Sequence, residues 1–194
     1  MSLGEPPDHI PPPPPRPARR NAPIPPPGWF DRFGGKLVLV LLDRKLEPST
    51  KGGRSLWGLQ RPLTYRPGEA GEEITVPAGF VTDLASIPRW AWVLLPPDGP
   101  WVKGAIIHDF LYATGGTGVW KRHPPGITRA QPYSRAEADR ILRQAIHNRG
   151  VDVLRRNIIW AAVRVGGWAG WGSGEKERPS TAADERYITG PGES

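Results

Sequence analysis

The pattern of the sequence changes from strand-like to helix-like within residues 79–112, which read GFVTDLASIPRWAWVLLPPDGPWVKGAIIHDFLY. Before this stretch, short apolar runs are separated by glycine and proline turns, as expected for strands. From Ser86 onward, apolar residues recur at helical spacing. This order predicts an α+β fold, in which a small antiparallel β-sheet precedes a helical subdomain.

Three candidate strands lie upstream of this change. They are predicted over Lys36–Leu42, a continuous apolar run, over Arg54–Arg66, where apolar and polar residues alternate, and over Glu72–Val76. Turns between them are supplied by Gly52-Gly53 and Pro67-Gly68. We therefore expect one small antiparallel sheet.

About four helices are predicted downstream. The first has Ser86 as its N-cap and Pro88 in its first turn, and it runs to about Leu95. The second runs from about Trp101 to Ala113.

The third helix begins at Ser134, and Glu137 completes a capping box with it. The fourth spans about 152–166. One of its faces carries five apolar residues: Leu154, Ile158, Ala161, Ala162 and Val165.

The composition divides the chain into three parts. Twelve of the 25 prolines precede Gly28, so residues 1–28 are predicted to be a Pro-rich disordered tether. Residues 29–171 are predicted to form a single α+β domain. Residues 172–194 are polar and poor in apolar side chains, which predicts a disordered polar tail.

Composition and charge exclude several classes of protein. The chain has no cysteine, which excludes a disulfide framework and a thiol nucleophile. No apolar run approaches the roughly 18 residues of a transmembrane segment, and no signal peptide is recognised. Residues 36–171 carry 19 basic and 11 acidic side chains. This excess favours an anionic partner such as phospholipid headgroups or nucleic acid, although it serves solubility equally well and no nucleic-acid motif is present.

The second predicted helix carries the polar residues most suited to chemistry. Ala105, His108, Asp109 and Tyr112 fall on one helical face, between apolar neighbours. A buried polar group without a hydrogen bond costs about 1–3 kcal/mol, so these side chains must be paired in the core or used in a site.

Asp139 is the predicted partner of His108, and the pair is expected to lie beside an opening to solvent. It lies about 20° around the third helix from Ile146, at the edge of the buried stripe. A carboxylate facing an imidazole fixes the ring tautomer and leaves the other nitrogen to accept a proton. Asp83, at the junction between sheet and helix, is either a helix cap or a metal ligand.

Two resemblances add to this interpretation. The motifs GF-x-TD-x-AS-x-P, HD-x-LY and AD, within about residues 36–166, resemble the family of domains of unknown function numbered 1353, DUF1353. The resemblance implies a phage or prophage setting, in the host cytoplasm or the phage particle, and no established activity.

The second resemblance is local. HDFLY followed by ADRIL is similar to the HD-x-x-Y and Asp helix pair of phospholipase A2 enzymes. It implies that His108 is the general base, that Asp139 orients it, that Tyr112 supports the pair and that Asp109 binds Ca²⁺.

The glycine-rich calcium loop of phospholipase A2 has no counterpart here. Residues 96–101 read PPDGPW, so Asp83 or Asp98 would have to replace its ligands.

Three functions follow as hypotheses. The first is a phage-associated, metal-assisted hydrolase with a His–Asp dyad, acting on a phospholipid or a cell-envelope ester. The second is a non-catalytic structural or assembly protein of the virion, docked to another virion protein. The third is a basic accessory protein that binds nucleic acid.

Overall fold

The computed structural model describes residues 32–45, 55–68, 71–84, 99–166, 170–172 and 188. The predicted tether, 1–28, and the predicted helix from Ser86 to Leu95 lie outside these residues. The described part has the predicted α+β class and order, with antiparallel strands followed by helices.

The strands form two small antiparallel sheets rather than the single predicted one. One sheet consists, in this order, of β1 (Phe33–Gly34), β4 (Leu63–Tyr65) and β5 (Ile74–Val76). The other consists, in this order, of β2 (Leu39–Lys45), β3 (Ser55–Leu59) and β6 (Val81–Thr82).

The division arises within the predicted strand Arg54–Arg66. Its two halves, β3 and β4, are separated by residues 60–62 and belong to different sheets. Pro62 has no N–H to donate to a ladder, which favours a break at this point. Leu59 and Leu63 on either side of the break are both fully buried, so each half contributes to the core.

The three described helices agree closely with the predicted bounds. They are α1 (Val102–Ala113), α2 (Arg135–Asn148) and α3 (Val153–Gly166). Ser134 and Glu137 form the predicted capping box, since each side chain accepts a hydrogen bond from the other residue's backbone N–H. None of the described helices is long and apolar enough to cross a membrane.

Helix α1 lies at the centre of the core. Every residue from Gly104 to Ala113 is buried, because α1 packs on α2 and also on β4 and β5. Its Phe110 ring meets the Phe80 ring edge-on, with 5.5 Å between the ring centroids. A smaller apolar cluster joins α2 to α3. Helix α1 thus brings its polar residues into an apolar interior.

The apolar face predicted for α3 is not the face that is buried. Leu154 and Val165 are 70% and 81% exposed, whereas Ile159 and Val163 are buried against α2. Helix α3 has apolar residues on two sides, and periodicity cannot choose between them. Packing on Leu142 and Ile146 of α2 selects the Ile159 side.

The core includes a side chain from beyond the predicted domain boundary at residue 171. Ile188 is fully buried in a cluster with Leu42, Leu56 and Val81 of the second sheet. The other residues of the predicted tail beyond 172 lie outside the described part of the chain.

Candidate functional site

His108 and Asp139 meet between α1 and α2. Nε2 of His108 lies 3.0 Å from Oδ1 of Asp139. The two residues are 2% and 0% exposed. The capping box fixes where α2 begins, and the helical period then turns Asp139 toward α1. The predicted contact between the two side chains is confirmed, but their burial does not show the predicted opening to solvent.

Tyr112 belongs to the same cluster. Its hydroxyl donates a hydrogen bond to Oδ1 of Asp139 at 2.7 Å, and its ring centroid lies 4.1 Å from that of His108. Because His108 and Tyr112 are four residues apart on α1, both reach the same carboxylate oxygen. Trp171 packs edge-on against Tyr112, at 5.0 Å between ring centroids.

Arg164 of α3 completes the cluster, although it is not among the site residues predicted from the sequence. Its Nη1 donates a hydrogen bond to Oδ2 of Asp139 at 3.0 Å. The Arg164 side chain is 38% exposed, so the guanidinium connects the buried carboxylate to the surface. The signal in the sequence is its position beside Val163, which is on the buried side of α3.

The surroundings of Asp139 keep it ionised. Burial alone raises the pKa of its carboxyl, but the hydrogen bonds from His108, Tyr112 and Arg164 outweigh burial and hold the pKa below its usual value. Burial raises the pKa of Tyr112, and the neighbouring carboxylate raises it further, so the phenol keeps its proton and donates it.

The charge of Asp139 determines the tautomer of His108. An ionised carboxylate only accepts hydrogen bonds, so Nε2 of His108 must carry the proton between them. In the neutral imidazole the basic lone pair is then on Nδ1. This arrangement suits a general base that is oriented by an acid.

Asp109 makes a different contact from its neighbour. The hydroxyl of Thr82, at the end of β6, donates a hydrogen bond to Oδ2 of Asp109. The same Thr82 oxygen accepts the backbone N–H of Leu84 at 3.0 Å. Asp109 and Asp83 are both buried, at 3% and 6% exposure. The polar face of α1 is therefore shared between α2 and β6.

The fit of a metal ion to these residues is incomplete. Asp109 and Asp83 offer the hard carboxylate oxygens that Ca²⁺ prefers. Across the described ranges, no group of three or more His, Cys, Asp or Glu side chains could hold a metal ion. The described residues thus supply two candidate ligands and not a full set.

Residues 57–163 match a family model described as "Protein of unknown function (DUF1353)". The match covers more than half of the chain and includes Asp83, His108, Asp109, Tyr112 and Asp139. No curated protein and no solved structure matches the chain.

Proposed function

Because this chain belongs to the DUF1353 family, whose description gives no activity, we propose its function from the site: it is a hydrolase of esters in which His108 is the general base. The observation that carries this proposal is the 3.0 Å contact between Nε2 of His108 and Oδ1 of Asp139. This contact gives the imidazole the tautomer that a base requires.

The proposed reaction needs one water molecule for each ester bond. Nδ1 of His108 accepts a proton from water while the water oxygen attacks the carbonyl carbon of the ester. The imidazolium then gives this proton to the departing alcohol oxygen as the C–O bond breaks. The products are a carboxylic acid and an alcohol, and His108 is neutral again.

The buried carboxylate supports both proton transfers. Asp139 accepts the Nε2 proton throughout and stabilises the imidazolium by its charge. Tyr112 and Arg164 hold this carboxylate from two helices, so it does not have to reorient during the reaction. Asp139, Tyr112 and Arg164 are thus positioning residues in this proposal.

The proposed substrate is a phospholipid or a related cell-envelope ester. The excess of basic over acidic residues within 36–171 supports it, since basic residues attract anionic surfaces. A phage setting, in the host cytoplasm or the phage particle, is part of the same proposal. It is supported by the resemblance of the GF-x-TD-x-AS-x-P and HD-x-LY motifs to phage-associated proteins.

Calcium is proposed as a cofactor because two buried side chains, Asp109 and Asp83, carry carboxylates of the kind that bind this ion. Asp109 and Asp83 would supply carboxylate oxygens, and a bound ion would polarise the ester carbonyl as a Lewis acid. Oδ2 of Asp109 accepts the Thr82 hydroxyl, a contact that holds this carboxylate in place. The steps given above do not require the ion.

A second function is favoured by the burial of the same cluster. Asp139 is fully buried and accepts hydrogen bonds from side chains of α1 and α3, which is how a core network ties three helices together. In this alternative the protein is a non-catalytic structural or assembly component of a phage particle.

Substitution of His108 separates the two functions. His108→Gln retains an N–H that can reach Asp139 but removes the base. We expect hydrolysis of a fluorescent phospholipid to fall by about a hundredfold or more, with the melting temperature almost unchanged. His123→Gln, in an exposed loop, is the matched control and should keep full activity.

The structural alternative predicts different measurements. It is supported if the wild-type protein hydrolyses no ester, with or without calcium, while His108→Gln lowers the melting temperature strongly. Full activity of His108→Gln would contradict the hydrolase mechanism directly.

A further inference from the structure

A cavity of about 920 Å³ lies at a second place in the molecule. It opens where the sheet of β2, β3 and β6 meets the start of α1 and the end of α2. Neither His108, Tyr112 nor Asp139 is among its described lining residues. Its volume is that of a small-molecule site, for which about 300–1,000 Å³ is usual.

The walls of this cavity are apolar. Leu39 lies at the start of β2, Trp57 is in the middle of β3, and Leu84 follows β6. Val102 closes the wall from the first turn of α1. These side chains come from four separate segments of the chain, which together form the apolar wall of an open cavity.

In the described part of the lining, the charged residues all have the same sign. They are Lys36, Lys103 and Arg149, and the described lining contains neither Asp nor Glu. Lys103 is held in place, because its Nζ donates a hydrogen bond to the Gly35 carbonyl at 3.0 Å and lies 5.5 Å from the centroid of the Phe33 ring. Three cations beside an apolar wall attract an anion.

The start of α1 adds to this preference. The N-cap residue, Trp101, makes no side-chain capping bond, and the first turn contains no acidic residue. Gly99, Pro100 and Val102 bring this helix end to the cavity wall. The partial positive charge of a helix N-terminus favours a nearby anion.

We propose that this cavity binds an amphipathic anion, namely an apolar chain that ends in a carboxylate or a phosphate. The head lies among Lys36, Lys103 and Arg149, and the chain packs on Leu39, Trp57 and Leu84. This site is separate from the proposed hydrolase, and neither assignment depends on the other.

Titration calorimetry on the full chain tests this proposal. The probes are dodecanoate and dodecyl phosphate, both below their critical micelle concentrations. Two incomplete probes serve as controls: dodecanol has the chain without an anionic head, and inorganic phosphate has the anion without a chain. We expect one molecule of each anionic amphiphile to bind, and at least about tenfold tighter than either incomplete probe. The tighter of the two amphiphiles identifies the head group.

Two exposed cations allow a test that spares the fold. The double variant Lys36→Gln/Arg149→Gln should weaken dodecanoate binding by about tenfold, since it removes two of the three cations in the described lining. Arg122→Gln/Arg140→Gln removes the same charge from exposed positions outside the cavity and should bind like the wild type.

Several results would overturn the assignment. If dodecanol binds as tightly as dodecanoate, the three cations do not contribute to binding of the anionic head. If both double variants weaken dodecanoate binding equally, the effect comes from the net charge of the protein and not from the cations at the cavity. Absence of binding by both amphiphiles would remove the site altogether.

Discussion

Arg164 on α3 donates a hydrogen bond to Oδ2 of Asp139 on α2, across 3.0 Å. The acceptor is fully buried, whereas the arginine side chain is 38% exposed. Asp139 also accepts hydrogen bonds from His108 and Tyr112 of α1. One carboxylate thus joins all three described helices, and any chemistry of His108 is coupled to their packing.

Removal of the arginine should cost stability. In Arg164→Met, Asp139 keeps two of its three donors but loses its charged partner. We expect the free energy of unfolding to fall by about 1–2 kcal/mol, less than for a fully buried charged hydrogen bond because the arginine is partly exposed. Urea unfolding measures this loss.

A matched control is available on the same helix. Arg155 forms a surface ion pair with Asp152, three residues away, and both side chains are about half exposed. Arg155→Met should therefore cost less than about 0.5 kcal/mol. Equal losses in the two variants would show that the contact with Asp139 contributes nothing of its own.

The capping box of α2 should make stability depend on acid pH. Hydrogen bonds from the side chain and the backbone N–H of Ser134, together with Arg129, lower the pKa of Glu137 from 4.5 to about 2. A lowered pKa in the folded state stabilises the protein above pH 4.5, and this contribution is lost as the pH falls toward 2.

The variant Glu137→Gln tests this dependence, because glutamine keeps the cap without the charge. The urea midpoint of the wild type should exceed that of the variant at pH 7, and the difference should vanish near pH 2. A difference that is constant across this range would contradict a titration of Glu137.

The contact between Ile188 and Gly58 should appear as a coupling energy. A Cβ added to Gly58 would overlap the Ile188 side chain, which is fully buried. Ile188→Ala should cost about 2–4 kcal/mol through its cavity, and Gly58→Ala about 1–3 kcal/mol through overpacking.

The double variant should cost less than the sum, since the shortened side chain makes room for the new methyl group. Additive losses would contradict the packing of Ile188 on β3. Gly34→Ala offers a comparison on β1, because its added Cβ would lie 3.3 Å from Cβ of Thr64, a tight but milder contact.

Much of the helical half could be predicted from local sequence. The Ser134–Glu137 box fixes the start of α2, and a helix of known start determines which way Asp139 points. The pairing of His108 with Asp139 followed from that direction and from the burial of α1. Each of these two properties, the direction of Asp139 on α2 and the burial of α1, can be predicted from the sequence of a single helix.

The parts that were missed depend on contacts distant in sequence. Arg164 was not identified because α3 has apolar residues on two sides, and only its packing on α2 selects one of them. The two sheets were not separated because β3 pairs with β6 and β1 pairs with β4 across intervening strands. The alternation of apolar and polar residues along one strand does not indicate which distant strand it pairs with.

Calcium titration tests the last of the predicted site residues. If Asp109 and Asp83 hold the ion, millimolar CaCl₂ should raise the melting temperature of the wild type, because a ligand that binds only the folded state stabilises it by mass action. Asp109→Asn should lose this response while its side-chain carbonyl still accepts the Thr82 hydroxyl. Asp83→Asn should also lose it. Asp152→Asn, which removes a half-exposed carboxylate, should respond like the wild type. A calcium shift that is the same in all four proteins would show that the ion binds elsewhere.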